Sequence, residues 1–463
     1  MSAYLAERDI EQVSGRLWTE PELRRICDLA LHGTNGDQAE ALVLAGTSEL
    51  TRFANNVIHQ NVASRDAVLQ VRVVVGKRVG MTTTHDLGED GIARAARDAS
   101  EVARIVPENP QFGGLPAARP ISPAPSAYVE ATASATPMDR ATRVHGLLRR
   151  AKERGFTAAG YLSSSASEIA VANSEGVWAY APSTLAAIET VVIGGAGSAW
   201  AERNSTDLGR VDVDAVAHEA IEKCAAAQGP RDLAPGTYEV VLEPYAVADI
   251  AQFLGGSLTG QAIEEGRSFV TGKLGQKITG DVTFVDDPFD PASIAIPFDF
   301  EGQPSQKVPL IEGGVARAVV YDSQTAFRTG QANTGHAMPP NPFASSSPMH
   351  LRIEPGTKTR EELIHGVERG VLVTRFHYTR WVHQLRTIVT GMTRDGTFLI
   401  EKGEIAHPVK NFRFTQSYHE ALGATLGIGK DLHLFAAGEF SFGARRVPAL
   451  RLGAFTFTGA TQY

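Results

Sequence analysis

At 463 residues, with 43% apolar and 21% charged side chains, the chain is long enough for two or three cores and needs no covalent staples to build them. A formal net charge of −8 and a pI near 5.9 speak against a protein that lives on nucleic acid. The first residues show no basic region followed by an apolar run, and no stretch approaches about 18 uninterrupted apolar residues, so the expectation is a cytoplasmic protein without a membrane span.

The first helix is signalled by Thr19 and Glu22, a capping-box pair with Pro21 in the first turn, followed by the stripe Leu23, Ile26, Cys27, Ala30 and Leu31. Strand-like runs follow at Ala41–Leu44, Glu49–Phe53 and Ala67–Val75, and Gly76-Lys77 turns the chain into a hairpin partner at Arg78–Thr83. A second helix is expected from about Asp90 to Val106. From Pro107 to Pro137 seven prolines interrupt any regular ladder or helix, which reads as an extended connector. A helix over Asp139–Arg154, short strands from Thr157 to Trp200 and a helix over Val211–Gln228 repeat the order helix, strands, helix. The two cysteines, Cys27 and Cys224, fall on apolar helical faces and read as buried thiols.

Pro, Gly and charge mark a boundary at residues 229–236, so residues 1–230 are taken as an N-terminal domain and residues 231–463 as a second. Beyond the boundary the texture is β, with strands expected at Tyr238–Leu242, Lys277–Phe284, Val315–Tyr321, Met349–Ile353, Val371–Phe376, Thr387–Thr390, Thr397–Ile400 and Pro448–Phe457. Helical pieces are confined to Tyr245–Leu254, Arg360–Arg369 and Thr415–Leu422. The fold class is therefore α+β: a mixed N-terminal domain, with the repeated order hinting at duplication, and a β-rich C-terminal one.

Arg369–Ile400 stands apart. Five arginines, two histidines and four aromatics sit among β-forming residues, and Arg394-Asp395-Gly396 reads as a turn between two apolar runs. Charges inside strand-like sequence are costly to bury unless paired, so this region is expected to line a cavity or an interface. Known chemical signatures are missing. Gly427-Ile428-Gly429-Lys430 has the wrong spacing for a phosphate loop, and Gly255-Gly256-Ser257 lacks the final glycine of a nucleophile elbow. His218-Glu219 and His419-Glu420 each begin a zinc-helix pattern and neither finds its second histidine. Whether His336, His350, His377 and His383 converge is left to the fold; hydrogen-bonded or cavity-lining histidine is the plainer reading.

Several segments, taken together, resemble the TldD/PmbA (TldE) family. They are Leu50 to Asn56 with Ile58-His59-Gln60-Asn61, Gly197 to Ala201, Tyr238 to Pro244, Phe298-Asp299 through Glu301-Gly302, Leu310 to Gly314, Arg375 through Phe398, and Pro408 to Phe414. The matches cover nearly the whole chain in the family's order. The family pairs two related subunits. In the catalytic one, the strand ending Leu-x-Pro leads into a helix with H-E-x-x-x-H, and a C-terminal cysteine completes a zinc site. Here Gln252, Phe253 and Ser257 fall where His, Glu and His should stand, and Phe440 or a close neighbour replaces the cysteine.

The resemblance therefore implies the TldE/PmbA-like subunit. It has no catalytic residue, metal or cofactor of its own, and its partner is a zinc-bearing TldD-like sister. The pair is expected to degrade or process small unfolded or modified peptides, with this chain closing the sister's chamber. The family's label as a modulator of DNA gyrase is read as an indirect effect. Asn56, His59, Arg375, Arg380 and Arg394 are the expected substrate contacts, because their side chains bond peptide carbonyls and carboxylates. Turn capping by Asn56, surface hydrogen bonding by His59 and internal ion pairs for the arginines are the competing explanations. Two rivals remain: a self-sufficient metallopeptidase built on a different histidine cluster, and a homodimeric peptide-binding protein.

Overall fold

A computed structural model describes residues 18–340, 345–436 and 443–460. Helix α1 (Glu20–His32) begins at the expected capping box: Glu22 N donates to Thr19 Oγ1 at 3.4 Å, and Thr19 N donates to the Glu22 carboxylate at 2.7 Å. It buries Leu23, Ile26, Cys27 and Ala30. Then come β1 (Gln38–Ala54), β2 (Val57–Val75), β3 (Arg78–Thr84) and α2 (Glu89–Ile105). The two runs expected around 41–53 are one strand, because Ala45, Gly46, Thr47 and Ser48 between them stay in the ladder. Asn55-Asn56 closes the β1–β2 hairpin with φ of +52° and +61°, the left-handed pair that a two-residue turn requires. Gly76 at φ +62° plays the expected part before β3.

Between α2 and the short α3 (Glu130–Ala133), the proline-rich segment makes no strand beyond a bridge from Ala127 to Ser183. Helix α4 (Pro137–Glu153) opens on a second capping box, Thr136 with Asp139. Strands β4 (Thr157–Asn173), β5 (Trp178–Gly194) and β6 (Gly197–Ser205) precede α5 (Val213–Ala226). β4 and β5 are longer than their sequence suggests: no charge run breaks their ladder, and Pro182 is tolerated opposite Glu168 because it lies beyond the part of β5 that pairs with β6. The six strands form one antiparallel sheet ordered β3-β2-β1-β4-β5-β6. Two meanders, each flanked by helices, thus meet at β1 and β4, which gives the repeated helix-strands-helix order a physical form.

The helices cover one face. α1 and α2 pack on Ala41, Val43, Leu69, Val71 and Val73, while α4 and α5 pack on Phe53, Leu162, Ile188, Ala199 and Ala201. Alternation along the strands sends the intervening side chains to the opposite face. Both cysteines are free and buried under these helices.

The second half begins with β7 (Gly236–Leu242), α6 (Pro244–Gly255), α7 (Gly260–Glu264), β8 (Phe284–Asp286), β9 (Val308–Glu312), β10 (Val315–Ala316), α8 (Ser323–Thr329), β11 (His350–Ile353) and α9 (Arg360–His365). It continues through β12 (Arg369–His383), β13 (Ile388–Glu401), β14 (Glu404–Pro408), β15 (Phe412–Ser417), α10 (Tyr418–Gly423), β16 (Thr425–Ile428), β17 (His433–Ala436), β18 (Ala444–Val447) and β19 (Leu450–Ala460). β12, β7, β19, β15 and β13 are consecutive neighbours, and β13 also pairs with β12, so this sheet closes on itself as a barrel. A second sheet, β10-β9-β8-β11-β18-β17, stands beside it. The apolar residues of α6 fill the space between them: Val247, Ile250, Ala251 and Leu254 join Phe284, Leu310, Phe376, Phe414 and Phe455 in one core.

Two expected strands are mostly loop: of Lys277–Phe284 and Val315–Tyr321, only Phe284 and Val315-Ala316 enter named strands. Arg394-Asp395-Gly396 is not a turn. It is a bulge inside β13, with Asp395 at φ +56° and Gly396 at +118°, and the hairpin turns instead at residues 384–387. No helix among the described residues is long and apolar enough to cross a membrane.

Candidate functional site

The open face of the first sheet meets the barrel at β6. Trp200, Glu202 and Asn204 point away from the helices. Strand register brings Val191, Glu189 and Ala187 beside them, and Tyr161 and Ser163 beyond. The result is a polar wall of small and half-buried side chains. Asn204 donates from Nδ2 to Leu434 O of β17 at 3.2 Å and to Glu202 Oε1 at 2.7 Å. Ser198 donates to Asp395 Oδ1 at 2.7 Å, which ties β6 to the bulge in β13.

Arg375 is the pivot of this wall. Its guanidinium lies 3.9 Å from the Trp200 ring centroid, and its Nε donates to Asp395 Oδ2 at 2.7 Å. The bulge explains the geometry: the left-handed Asp395 swings its carboxylate under Arg375 and beside Ser198, where a regular strand residue would not reach. Behind Arg375 stand Glu189 and Glu202, directly paired across β5 and β6. Burial, then the Glu202 charge, pushes Glu189 up to about 7, against the Tyr161 hydrogen bond and the Arg375 charge. Burial also raises Glu202. A carboxyl titrating near neutrality at an inter-sheet junction is a functional-site marker that sequence reading missed. The only hint was an isolated glutamate in each of two apolar strands.

α6 supplies a second part of the site. Its C-terminal end and the turn after it are where the family resemblance places the zinc-binding side chains, and the groups present do not fit that ion: an amide (Gln252) and a phenyl ring (Phe253) on the helix, and a hydroxyl (Ser257) in the turn. Phe253 meets Trp381 edge-on at 4.8 Å and Tyr418 at 5.8 Å. The same helix carries the half-buried Asp249, which accepts from Thr379 Oγ1 at 2.7 Å and from the Tyr418 hydroxyl at 2.6 Å. Burial raises its pKa against these two bonds. Gln252, Phe253, Ser257, Arg267, Trp381 and Gln384 line a cavity of about 190 Å³ beside the hairpin. Phe440 lies outside the described residues.

The other expected contacts are dispersed. Asn56 sits in the β1–β2 turn, donating from Nδ2 to Phe156 O at 2.8 Å and accepting from Ala158 N at 2.7 Å. His59 is exposed on β2 at the strand's bulge. Arg380 lies over the Tyr378 ring at 4.2 Å, and Arg394, paired in register with Arg375, is half-exposed with Nε 3.8 Å from Asp395. The four histidines do not converge. His336 and His350 share the buried Asp286, at 3.0 Å and 3.6 Å respectively. His350 Nε2 accepts from Ile296 N at 3.3 Å, and His336 Nδ1 lies 2.9 Å from Thr334 O, so both rings brace a loop. His377 and His383 are on β12.

A separate cavity of about 620 Å³ opens where α5 meets the start of α6. Its floor holds the buried Glu243, which accepts from Lys223 at 2.6 Å and from Arg360 at 2.7 Å. Despite burial, these two cations hold Glu243 down to about 2.

Comparison with known proteins agrees along the whole length. Family models of PmbA/TldA metallopeptidases match in chain order: domain 1 at residues 39–103, the central domain at 126–227 and the C-terminal domain at 235–459. A metalloprotease of Methanothermobacter thermautotrophicus is 28% identical over 232 residues, spanning 49% of this chain and half (50%) of that protein's length. Metalloprotease PmbA of Escherichia coli O157:H7 is 22% identical over 442 residues, 92% of this chain and 95% of that one. Among solved structures, TldE from Thermococcus kodakarensis matches with a TM-score of 0.85 at 20% identity, over 95% of this chain and all (100%) of its own. A Thermotoga maritima protein described as a modulator of a DNA gyrase matches with a TM-score of 0.82 at 17% identity, over 95% of this chain and 100% of its own. At such identities the structural likeness establishes the fold.

Proposed function

We propose, for a chain that belongs to the PmbA/TldD metallopeptidase family, that it is the TldE/PmbA-like partner subunit of a zinc peptidase: it holds no metal of its own and closes the substrate chamber of a zinc-bearing sister. The observation that carries the reading is α6. Where the resemblance places the zinc motif, α6 holds Gln252 and Phe253 and the turn after it holds Ser257, and the Phe253 ring is packed into the aromatic group of Trp381 and Tyr418. A catalytic zinc needs about three nitrogen, sulfur or carboxylate ligands, and a packed phenyl ring supplies none.

The wall around Arg375 supports the second half of the reading. Its polar, small-residue face next to a held guanidinium suits an extended peptide. A peptide carboxylate finds Arg375 and the half-exposed Arg394 there. Recognition through the backbone needs little sequence preference, as befits a system that processes small unfolded peptides.

The test is native mass and metal content of the chain purified alone and after co-expression with the sister, the protein whose gene encodes H-E-x-x-x-H after a matching Leu-x-Pro strand. The expected outcome is a one-to-one complex with zinc in proportion to the sister, and peptidase activity in the complex alone. Stoichiometric zinc and chelator-sensitive cleavage in the isolated chain would overturn the proposal.

A further inference from the structure

In the far half of the β12–β13 hairpin, β13 (Ile388–Met392) pairs with β15 in the barrel, whereas β12 beyond His377 has β13 as its one strand neighbour among the described residues and no role in the wall. Its two faces differ sharply. The inward residues of β12 are anchored to α6: Thr379 donates to the half-buried Asp249 at 2.7 Å, and Trp381 packs edge-on against Phe253 at 4.8 Å. The alternate residues point to solvent. Tyr378 is 67% exposed, Val382 57% and Leu385, at the turn, 45%. No other segment among the described residues brings three exposed large apolar side chains so close in sequence. Exposed apolar groups gathered in this way mark an interaction surface.

The charge is equally one-sided. From Arg369 to Arg394 there is no carboxylate, in a chain whose net charge is −8. Arg380 and Arg386 make no ion pair among the described residues; Arg380 covers the Tyr378 ring instead, 4.2 Å from its centroid. The backbone is held in an unusual shape. Tyr378 has a left-handed φ of +54°, and register shifts flank it between His377 and Arg380 and between Trp381 and His383. An aromatic residue adopts that conformation rarely. It persists here because Thr379 and Trp381 are fixed on either side of the outward Arg380. Exposed tyrosine and arginine, rigid before contact, are the residue types that dominate binding energy at protein interfaces.

We propose that this outer face, Tyr378, Arg380, Val382, Leu385 and Arg386, is the surface by which the chain docks onto its zinc-bearing sister, and that the sister presents an acidic surface around an apolar centre. The inference rests on the heterodimer reading above, and charge complementarity selects the occupant. A second copy of the same hairpin would set arginine against arginine.

The test uses the full chain with the co-expressed sister. Affinity is measured for the wild type, for the double variant Arg380→Glu/Arg386→Glu and for the neutral Arg380→Gln/Arg386→Gln, at low and at moderate salt. Circular dichroism and the thermal midpoint check that each variant folds. The wild-type affinity is expected to fall as salt rises. The neutral variant should bind about tenfold weaker with a shallower salt dependence, and the reversed variant at least a hundredfold weaker. A reversed variant that binds within a factor of about three overturns the docking surface while leaving the heterodimer intact. Absence of any wild-type complex overturns the heterodimer reading itself, and the docking surface with it. A dimer of the chain alone that charge reversal abolishes, with sister binding untouched, assigns the surface to a second copy and likewise overturns the proposal.

Discussion

Arg375 and Arg380 lie on one strand, in the same arginine-rich and aromatic sequence, and the fold treats them in opposite ways. Arg375 is held between the Trp200 ring and the Asp395 carboxylate, with two further carboxyls behind it. Arg380 lies on an exposed tyrosine with no carboxylate in reach among the described residues. The near half of the hairpin carries the wall; in the far half β13 still pairs with β15 in the barrel, while β12 and the turn form a braced protrusion. Residue type alone does not separate the two. What separates them is whether β6 or solvent lies opposite.

The sharpest way to break this contrast is to cut the core of the near half. Phe376 is buried, meets Phe414 at a tilt with centroids 4.6 Å apart and stacks on Phe455 at 5.3 Å. Phe376→Ala should cost about 3–5 kcal/mol by denaturant unfolding, whereas Val382→Ala should stay within about 0.5 kcal/mol. Next comes the ion pair. Arg375→Met strands the buried Asp395 and should cost about 3 kcal/mol, and Arg380→Met should again be near neutral. Equal losses at the two arginines would erase the distinction.

A pH titration tests the wall from its acidic side. Glu189 titrates near 7 when folded, above its ordinary 4.5, so the folded state holds the proton more tightly than the unfolded chain. That stabilisation is fully present below about 4.5 and is lost as pH rises through 7, bounded at about 3 kcal/mol and reduced by whatever water reaches the carboxyl. Glu189→Gln should flatten this part of the stability profile. Glu243 has the opposite sign: held down to about 2, it contributes stability above 4.5 that disappears as pH falls toward 2. The half-buried Glu189 and the buried Glu243 thus diverge: loss of water and then the Glu202 charge raise the first, while Lys223 and Arg360 overcome the burial of the second. The smallest effect concerns the brace. Thr379→Val removes one hydrogen bond to Asp249 and should cost about 1–2 kcal/mol, while amide exchange at residues 378–386 speeds up. Unchanged exchange there would show that Trp381 suffices to hold the protrusion.

Much of the architecture was legible because its signals are local. Thr19, Pro21 and Glu22 specify a helix start by bonds within one turn, and Gly76 specifies a hairpin by its own backbone freedom. The αβ order of the first half was legible for the same reason, and its repeated helix-strands-helix order takes the form of two meanders joined at β1 and β4 in one sheet. Misreadings occurred where a local signal was overridden at a distance. Arg394-Asp395-Gly396 has the composition of a turn, yet its carboxylate is claimed by Arg375 and Ser198, so the segment stays in the strand as a bulge. Asn56 has the chemistry of a peptide-binding amide, and its side chain is spent on Phe156 and Ala158, a hundred residues away in sequence.

Amino-acid order by itself determined the helix caps, the buried thiols and the β-rich second half, because each depends on neighbours a few bonds away or on which side chains exist at all. Only the folded chain decided that the second sheet closes into a barrel, that Glu189 meets Glu202, and that one stretch of arginines divides into a held half and an exposed half. Those outcomes follow from which surfaces are brought within a few ångströms of each other. Electrostatic and packing energies depend on that separation and on the exclusion of water, and no local pattern encodes either.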